Sequence, residues 1–346
     1  MRRRELVEIG VVAALVVLAG IAHYAHANEV LAFFVAALAI AGLARLVGEA
    51  TEQLGGRVGT GTAGVIQSGL GNLPELFIVL FALHDGLLVV VQSALVGSIL
   101  ANSVFVLGLA FFVGGVRNGT QRFHSPTARM IATLTVLSAA IMAVPSFTHA
   151  WGTAAAAHET ALSLVAAGVL IVLFVITLPG LMHAAEEDQQ REPAHWSLVT
   201  TVIVLAGAGA GAAITSDWFV SALKPATEAM HMSEAFAGLV VVAIAGNAVE
   251  NVVGVRLAAA NRPDFAISVI LNSSLQVALL LTPVLVFVSL FFATTLTLVF
   301  APLLALVLIL SALISAFVVY DGESTWYEGA MLIGFYVVVA ASFWWG

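Results

Sequence analysis

Apolar stretches long enough to cross a bilayer recur along almost the whole chain. A spanning helix needs about 20 mainly apolar residues. Eleven candidates can be marked, near 6–22, 29–47, 61–83, 87–115, 127–145, 159–180, 196–215, 233–257, 265–292, 295–319 and 326–345. Glycine-rich "GTGTAG" (59–64), "HDG" (84–86) and "NRPD" (261–264) mark breaks between them. Of the 346 residues, 61% are hydrophobic and 9% charged. Soluble domains carry roughly 25% charged residues, so this chain cannot cover a water-facing surface. The expectation is an all-α integral membrane protein with eleven transmembrane helices.

The same composition excludes several functions. Cysteine is absent, which removes disulfides, thiolate metal sites and cysteine nucleophiles. A net charge of −8 argues against a nucleic-acid partner, because such binding needs a basic face. No His-Glu-x-x-His or Gly-x-Ser-x-Gly is present, so an intramembrane enzyme is disfavoured and no cofactor is expected. The segment after "MRRRE" lacks a small-residue cleavage site and is read as a retained helix.

Charge sets the orientation. With eleven crossings and a cytoplasmic N-terminus, the inside set is Arg2, Arg3, Arg4, Arg45, Arg57, Arg117, Arg122, Arg129, Arg191, Arg256 and Arg262, leaving only Lys224 outside. The positive-inside rule asks for this bias, and a misplaced crossing would scramble it. The C-terminus then lies outside. Trp151, Trp196, Trp218, Trp326, Trp344 and Trp345 sit near segment ends, as interfacial aromatics should.

One sizeable polar loop, "HAAEEDQQREPAH" (183–195), falls midway. It divides the chain into an N-terminal helix (1–28), a first five-helix half (29–182), the acidic cytoplasmic loop and a second five-helix half (196–346). "GNLPELF" begins at Gly71 and "GNAVENV" at Gly246, each in the second span of its half. The next span carries "GSILANS" (97–103) in one half and "VILNSSLQ" (269–276) in the other. Because each half has an odd number of spans, the halves must insert with opposite orientation, as an inverted-topology repeat.

Glu75 and Glu250 occupy equivalent places deep within these spans. An acidic residue at the bilayer centre costs roughly 2.5–3.5 kcal/mol on insertion scales. One could be a protonated packing residue; two in matching positions point to a site. Single Asn or Ser residues in membrane helices often serve only as interhelical glue, and for Ser98, Ser103 and Ser274 the two readings weigh equally. If the motifs meet near the midplane, two carboxylates would neutralise one divalent cation. Calcium takes about 6–8 oxygen ligands, and Asn72, Asn247, Ser98, Ser273, freed carbonyls and water could complete that shell. Pro74 lacks an amide hydrogen and is expected to free a carbonyl near Leu70. The same carboxylates can hold protons instead, so cation and proton compete for one place.

These residues carry a resemblance. "GNLPELFIVLFAL…GLLVVVQSALVGSILANSVFVLGLAFFVGG" and "IAGNAVENVVGVRLAAANRPDFAISVILNSSLQVALLLTPVLVFVS" resemble the two repeats of the calcium/cation antiporter superfamily, closest to its calcium/proton exchanger branch. The likeness runs from about residue 29 onward. It implies an eleven-helix antiporter with inverted repeats, an acidic segment between them and calcium coordination by Glu75 and Glu250. Asn72, Asn247, Ser98, Asn102, Ser273 and Gln276 fall on the family's accessory polar positions. The sequence departs at Leu73-Pro74, where the branch commonly has Ala-Thr, and at Asn251, where it usually has His. The function implied is export of cytosolic Ca2+ in exchange for H+ by secondary active transport across the plasma (inner) membrane of a prokaryote. The lipid bilayer is the partner, and a homo-oligomer stays open. Sodium-coupled exchange of calcium or another divalent cation, and a channel, remain alternatives. The "EED" run (186–188) resembles the family's acidic segment but is short, and a solvated cytoplasmic loop is at least as good a reading of it as a regulatory calcium site.

Overall fold

The computed structural model describes residues 3–57, 70–188 and 194–345. The "GTGTAG" break, the first part of the 61–83 stretch and Arg191 lie outside them. Twelve helices are described: α1 (Arg3–Tyr24), α2 (Glu29–Gly55), α3 (Leu73–His84), α4 (Leu88–Asn118), α5 (Ser125–Ala150), α6 (Glu159–Asp188), α7 (Leu198–Met230), α8 (Glu234–Gly246), α9 (Ala248–Ala259), α10 (Pro263–Phe291), α11 (Pro302–Val318) and α12 (Trp326–Trp344). Among the described residues, eight are long and apolar enough to cross a membrane. The pair α8 and α9 counts as a ninth, bent by 65°, and α3 and α11 are shorter apolar helices. Two-residue strands β1 (Gln121–Arg122) and β2 (Glu323–Ser324) pair antiparallel and tie the connections after α4 and α11 together.

Local sequence chemistry starts the helices. Asn28 accepts hydrogen bonds from the amides of Val30 and Leu31 at the head of α2, and Ser197 and Ser233 cap α7 and α8. Thr325 and Glu328 form a reciprocal capping box on α12. Pro263 and Pro302 stand in the first turns of α10 and α11, where a missing amide hydrogen costs nothing.

Several boundaries differ from the sequence reading. The span expected at 196–215 runs on to Met230, because Trp218, Phe219 and Val220 continue an apolar face over α1 and α2; Phe219 stacks on Phe33 at 4.8 Å. The loop expected to begin at 183 begins later, since residues through Asp188 continue α6, a run of good helix formers. The first helix packs against α2 and the head of α7. Val12 fits against Gly42, and Glu5 accepts hydrogen bonds from the His195 ring (2.7 Å) and the Trp196 indole (2.9 Å) at the head of α7.

The clearest difference is at 295–301, expected to be helical and found extended. Burial alternates there: Leu296, Leu298 and Phe300 are buried and the residues between them are half-buried. Non-helical backbone inside a membrane protein must find partners within the protein. Here side chains supply them. Ser289 and Ser163 accept from the amides of Leu296 and Leu298, at 2.9 Å each. Gln92 donates to the carbonyls of Thr297 and Val299, both at 3.0 Å. Ser146 does two things: it accepts from Phe300 N (2.9 Å) and donates to Leu298 O (3.0 Å). Ser146→Ala orphans two buried backbone groups, each worth about 1–3 kcal/mol. It should lower the thermal midpoint of the detergent-purified protein by several degrees. Ser138→Ala, which loses only a bond to its own helix, should change it little. Equal midpoints would mean that the extended segment is held some other way.

Candidate cation site

Two helix breaks bring the "GN" motifs to the centre. Asn247 stands between α8 and α9 at φ −106°, ψ 24°, and Asn72 precedes α3 at φ −93°, ψ 15°. The matching torsions interrupt the two halves in the same way. At the second break the Asn247 side chain and its backbone amide both donate to the Ala243 carbonyl, at 3.0 and 3.2 Å, which fixes the side chain against the last turn of α8. Pro74 lies in the first turn of α3, so it begins a half-helix rather than kinking a continuous one. Glu75 and Glu250 each fall in the first turn of such a half-helix. The positive end of the helix dipole there favours a carboxylate.

Around Glu75 the two halves join through hydrogen bonds. Ser98 on α4 donates to one oxygen of the fully buried Glu75 carboxylate. Asn247 donates to the other at 3.4 Å and to Ser98 Oγ at 3.0 Å. Asn102 donates to Asn247 Oδ1 at 3.2 Å and to Ser273 Oγ at 2.9 Å. Ser273, on α10, donates to Asn247 Oδ1 at 3.3 Å. Asn102 lies in a π-helical stretch of α4, Ala101–Val106, a distortion that recurs at functional sites. The Oδ1 atom of Asn102 is buried without a hydrogen-bond partner. A buried acceptor lacking a donor is costly, and a cation would satisfy it.

Five of the eight expected residues therefore form one knot: Glu75, Ser98, Asn102, Asn247 and Ser273. Asn72 is buried beside it without a side-chain capping bond. Glu250 is half-buried, accepts no hydrogen bond from another residue among those described, and lies within electrostatic range of Glu75. Gln276 is half-buried and outside the knot. Ser103 and Ser274 both donate to the Ile99 carbonyl, Ser103 within its own helix and Ser274 from α10 across to α4, so neither joins the knot. A further residue, Gly246, shapes the site by what it lacks. A Cβ there would stand 3.0 Å from Glu75 Cβ. The signal was present in the sequence, since "GN" opens both motifs, but only the packing shows why glycine is needed.

Comparison with known proteins places this arrangement. The description "sodium/calcium exchanger protein" matches residues 28–181 and 200–345. The chain belongs to this exchanger family. The Ca2+/H+ antiporter ChaA of Bacillus subtilis is 34% identical over 344 residues, covering 96% of this chain and 97% of that protein. A Ca2+/H+ antiporter of Aphanothece halophytica is 32% identical over 342 residues, covering 93% and 92%. The solved structure of native YfkE superposes with a TM-score of 0.85 at 32% identity, covering 97% of this chain and 99% of that one. The exchanger fold is thus shared over nearly the full length, with both breaks inside the matched residues.

Proposed function

We propose that this chain is a Ca2+/H+ antiporter that moves both ions through one site, by alternating access and without a covalent step. The observation that carries the reading is the knot itself: a wholly buried carboxylate, Glu75, held by Ser98 of its own half and Asn247 of the other. Glu250 supplies the second charge. Asn102, Ser273, Asn72 and Gln276 supply neutral oxygens. Two carboxylates neutralise one Ca2+, whose flexible oxygen shell suits such a mixed set. Protons neutralise the same pair when the ion leaves. The relatives of Bacillus subtilis and Aphanothece halophytica, both Ca2+/H+ antiporters, support the choice of ions.

The reading includes eleven crossings, with α3, the bent α8–α9 pair and α11 each counted as one. The halves 29–182 and 196–346 are inverted repeats, the N-terminus and the 183–195 segment are cytoplasmic, and the C-terminus is outside. Inter-loop contacts support this. The connections after α4, α9 and α11 meet through β1–β2 and through Gln121, which bonds the Ala258 carbonyl and Asn261. The start of α8 bonds instead to the end of α12. In a prokaryote the membrane concerned is the plasma membrane.

The test is Ca2+ transport by purified protein in proteoliposomes with the two driving gradients set separately. A proton gradient should drive uphill Ca2+ movement with sodium absent. Movement driven only by a sodium gradient at equal pH would overturn the proton assignment, and downhill flux indifferent to both would indicate a channel.

A further inference from the structure

One face of α10 is polar and, with the adjoining Phe265 and Val269, half-buried, where the opposite face of this part of the helix is buried. Asp264, Ser268, Asn272 and Gln276 recur every four residues, and all four are half-buried, while Ile267, Ile270, Leu271 and Leu275 are buried. Four-residue spacing keeps side chains on one gently winding helix face. Twelve residues at 1.5 Å each carry it about 18 Å, from the loop end of α10 to the depth of Ser273. Beyond Gln276 the face turns apolar, at Leu280 and Val284.

Interhelical glue does not account for the file. Asn272 donates to Ser268 at 3.3 Å, within its own helix. Gln276 takes no hydrogen bond among the described residues. Lipid does not account for it either, because unsatisfied amides in hydrocarbon are costly. At its loop end the file meets a small cleft lined by His124, Thr127, Asp264 and Ser268 together with the apolar Phe123, Ala128 and Ile267, where Asp264 accepts from the His124 amide.

The matching helix of the first half, α4, has no such file. Glu75 and Glu250 are 175 residues apart (250 − 75), as are Ser98 and Ser273 (273 − 98). The same offset sets Val89, Ser93, Gly97 and Ala101 of α4 against the four polar positions. Ser93, Gly97 and Ala101 are buried, and the backbone of Leu239 lies directly over Gly97. One half is open along this face and the other is sealed.

We propose that Ser268, Asn272 and Gln276, entered past Asp264 and His124, wall a hydrated path for the divalent cation between the cytoplasmic end of the bundle and the Glu75–Glu250 site. This rests on the orientation and transport proposed above. Their side-chain oxygens replace part of the ion's water shell on its way, and the sealed counterpart on α4 prevents a through-channel.

Because the chain contains no cysteine, single-cysteine variants report access directly. In inverted membrane vesicles, a membrane-impermeant cationic thiol reagent should label Ser268→Cys and Asn272→Cys at least about tenfold faster than Ser93→Cys or Leu280→Cys. Added Ca2+ should slow labelling of Gln276→Cys. Labelling no faster than at Ser93→Cys, labelling by a lipophilic maleimide alone, or labelling only from the opposite face would overturn the path. Each rate is read on variants that elute as a single species in detergent. As a second measure, Asn272→Leu should raise the KM for Ca2+ on the cytoplasmic side several-fold with little change in kcat; an unchanged KM would contradict the role. Were the cargo a different divalent cation, the labelling pattern would persist and only the Ca2+ protection would vanish, separating failure of this inference from failure of the assigned function.

Discussion

Glu75→Gln should abolish proton-driven Ca2+ uptake while leaving the protein folded. Glutamine keeps the shape of the side chain and an oxygen that can accept from Ser98, so the bonds joining α3, α4 and the α8–α9 break are largely retained. It removes the charge and the exchangeable proton. A single remaining carboxylate at Glu250 cannot neutralise a divalent ion in a buried site. Apparent Ca2+ affinity should fall at least about a hundredfold, equivalent to about 2.8 kcal/mol. Glu250→Gln should do the same. Size-exclusion behaviour and thermal midpoint near the parent values, with flux lost, is the expected pair of results. Retained exchange in either variant would remove that carboxylate from the site.

Gly97→Ala should be among the most damaging single-methyl changes in the protein. A Cβ at Gly97 would lie 2.4 Å from the Leu239 carbonyl oxygen, and one at Gly238 would lie 2.6 Å from the Val90 carbonyl oxygen. Backbone meets backbone at this α4–α8 crossing, so no rotamer change can relieve the clash. Overpacking costs about 1–3 kcal/mol even where side chains can adjust. The crossing also sets the distance between Ser98 on α4 and Asn247 at the foot of α8, so the site would open with it. The expected result is a midpoint lowered by several degrees together with lost transport. Gly209→Ala is the control: nothing lies within 4 Å of its Cβ position, and replacing a mid-helix glycine should be neutral or slightly stabilising. Similar midpoints for the two variants would contradict the close crossing.

The residues that the fold brings together around Glu75 were legible because membrane insertion makes a buried carboxylate conspicuous. Glu75 and Glu250 stand out against apolar neighbours, and Asn72, Asn247, Ser98 and Ser273 follow at the common offset. That Asn247 rather than a second carboxylate bonds directly to Glu75 could not be read, since it depends on where α8 breaks. Residues 295–301 misled for a definite reason. A short apolar run reads alike as strand and as helix, and the partners that permit an extended chain there, Gln92, Ser146, Ser163 and Ser289, come from elsewhere in the sequence. The far end of α7 was hidden by Asp217, Lys224 and Pro225, polar or helix-breaking residues tolerated because Phe219 and Val220 are packed. The file on α10 is not legible in the sequence, because Ser268 and Asn272 look ordinary until their exposure is known.

The central claim is that one pair of carboxylates holds either Ca2+ or protons. Proton release on Ca2+ binding measures this directly, in weakly buffered detergent solution with a pH indicator. The account predicts that Ca2+ displaces protons, that apparent affinity weakens as pH falls, and that Glu75→Gln and Glu250→Gln each suppress both effects. Ca2+ binding that releases no protons and is indifferent to pH, with both glutamates intact, would contradict it.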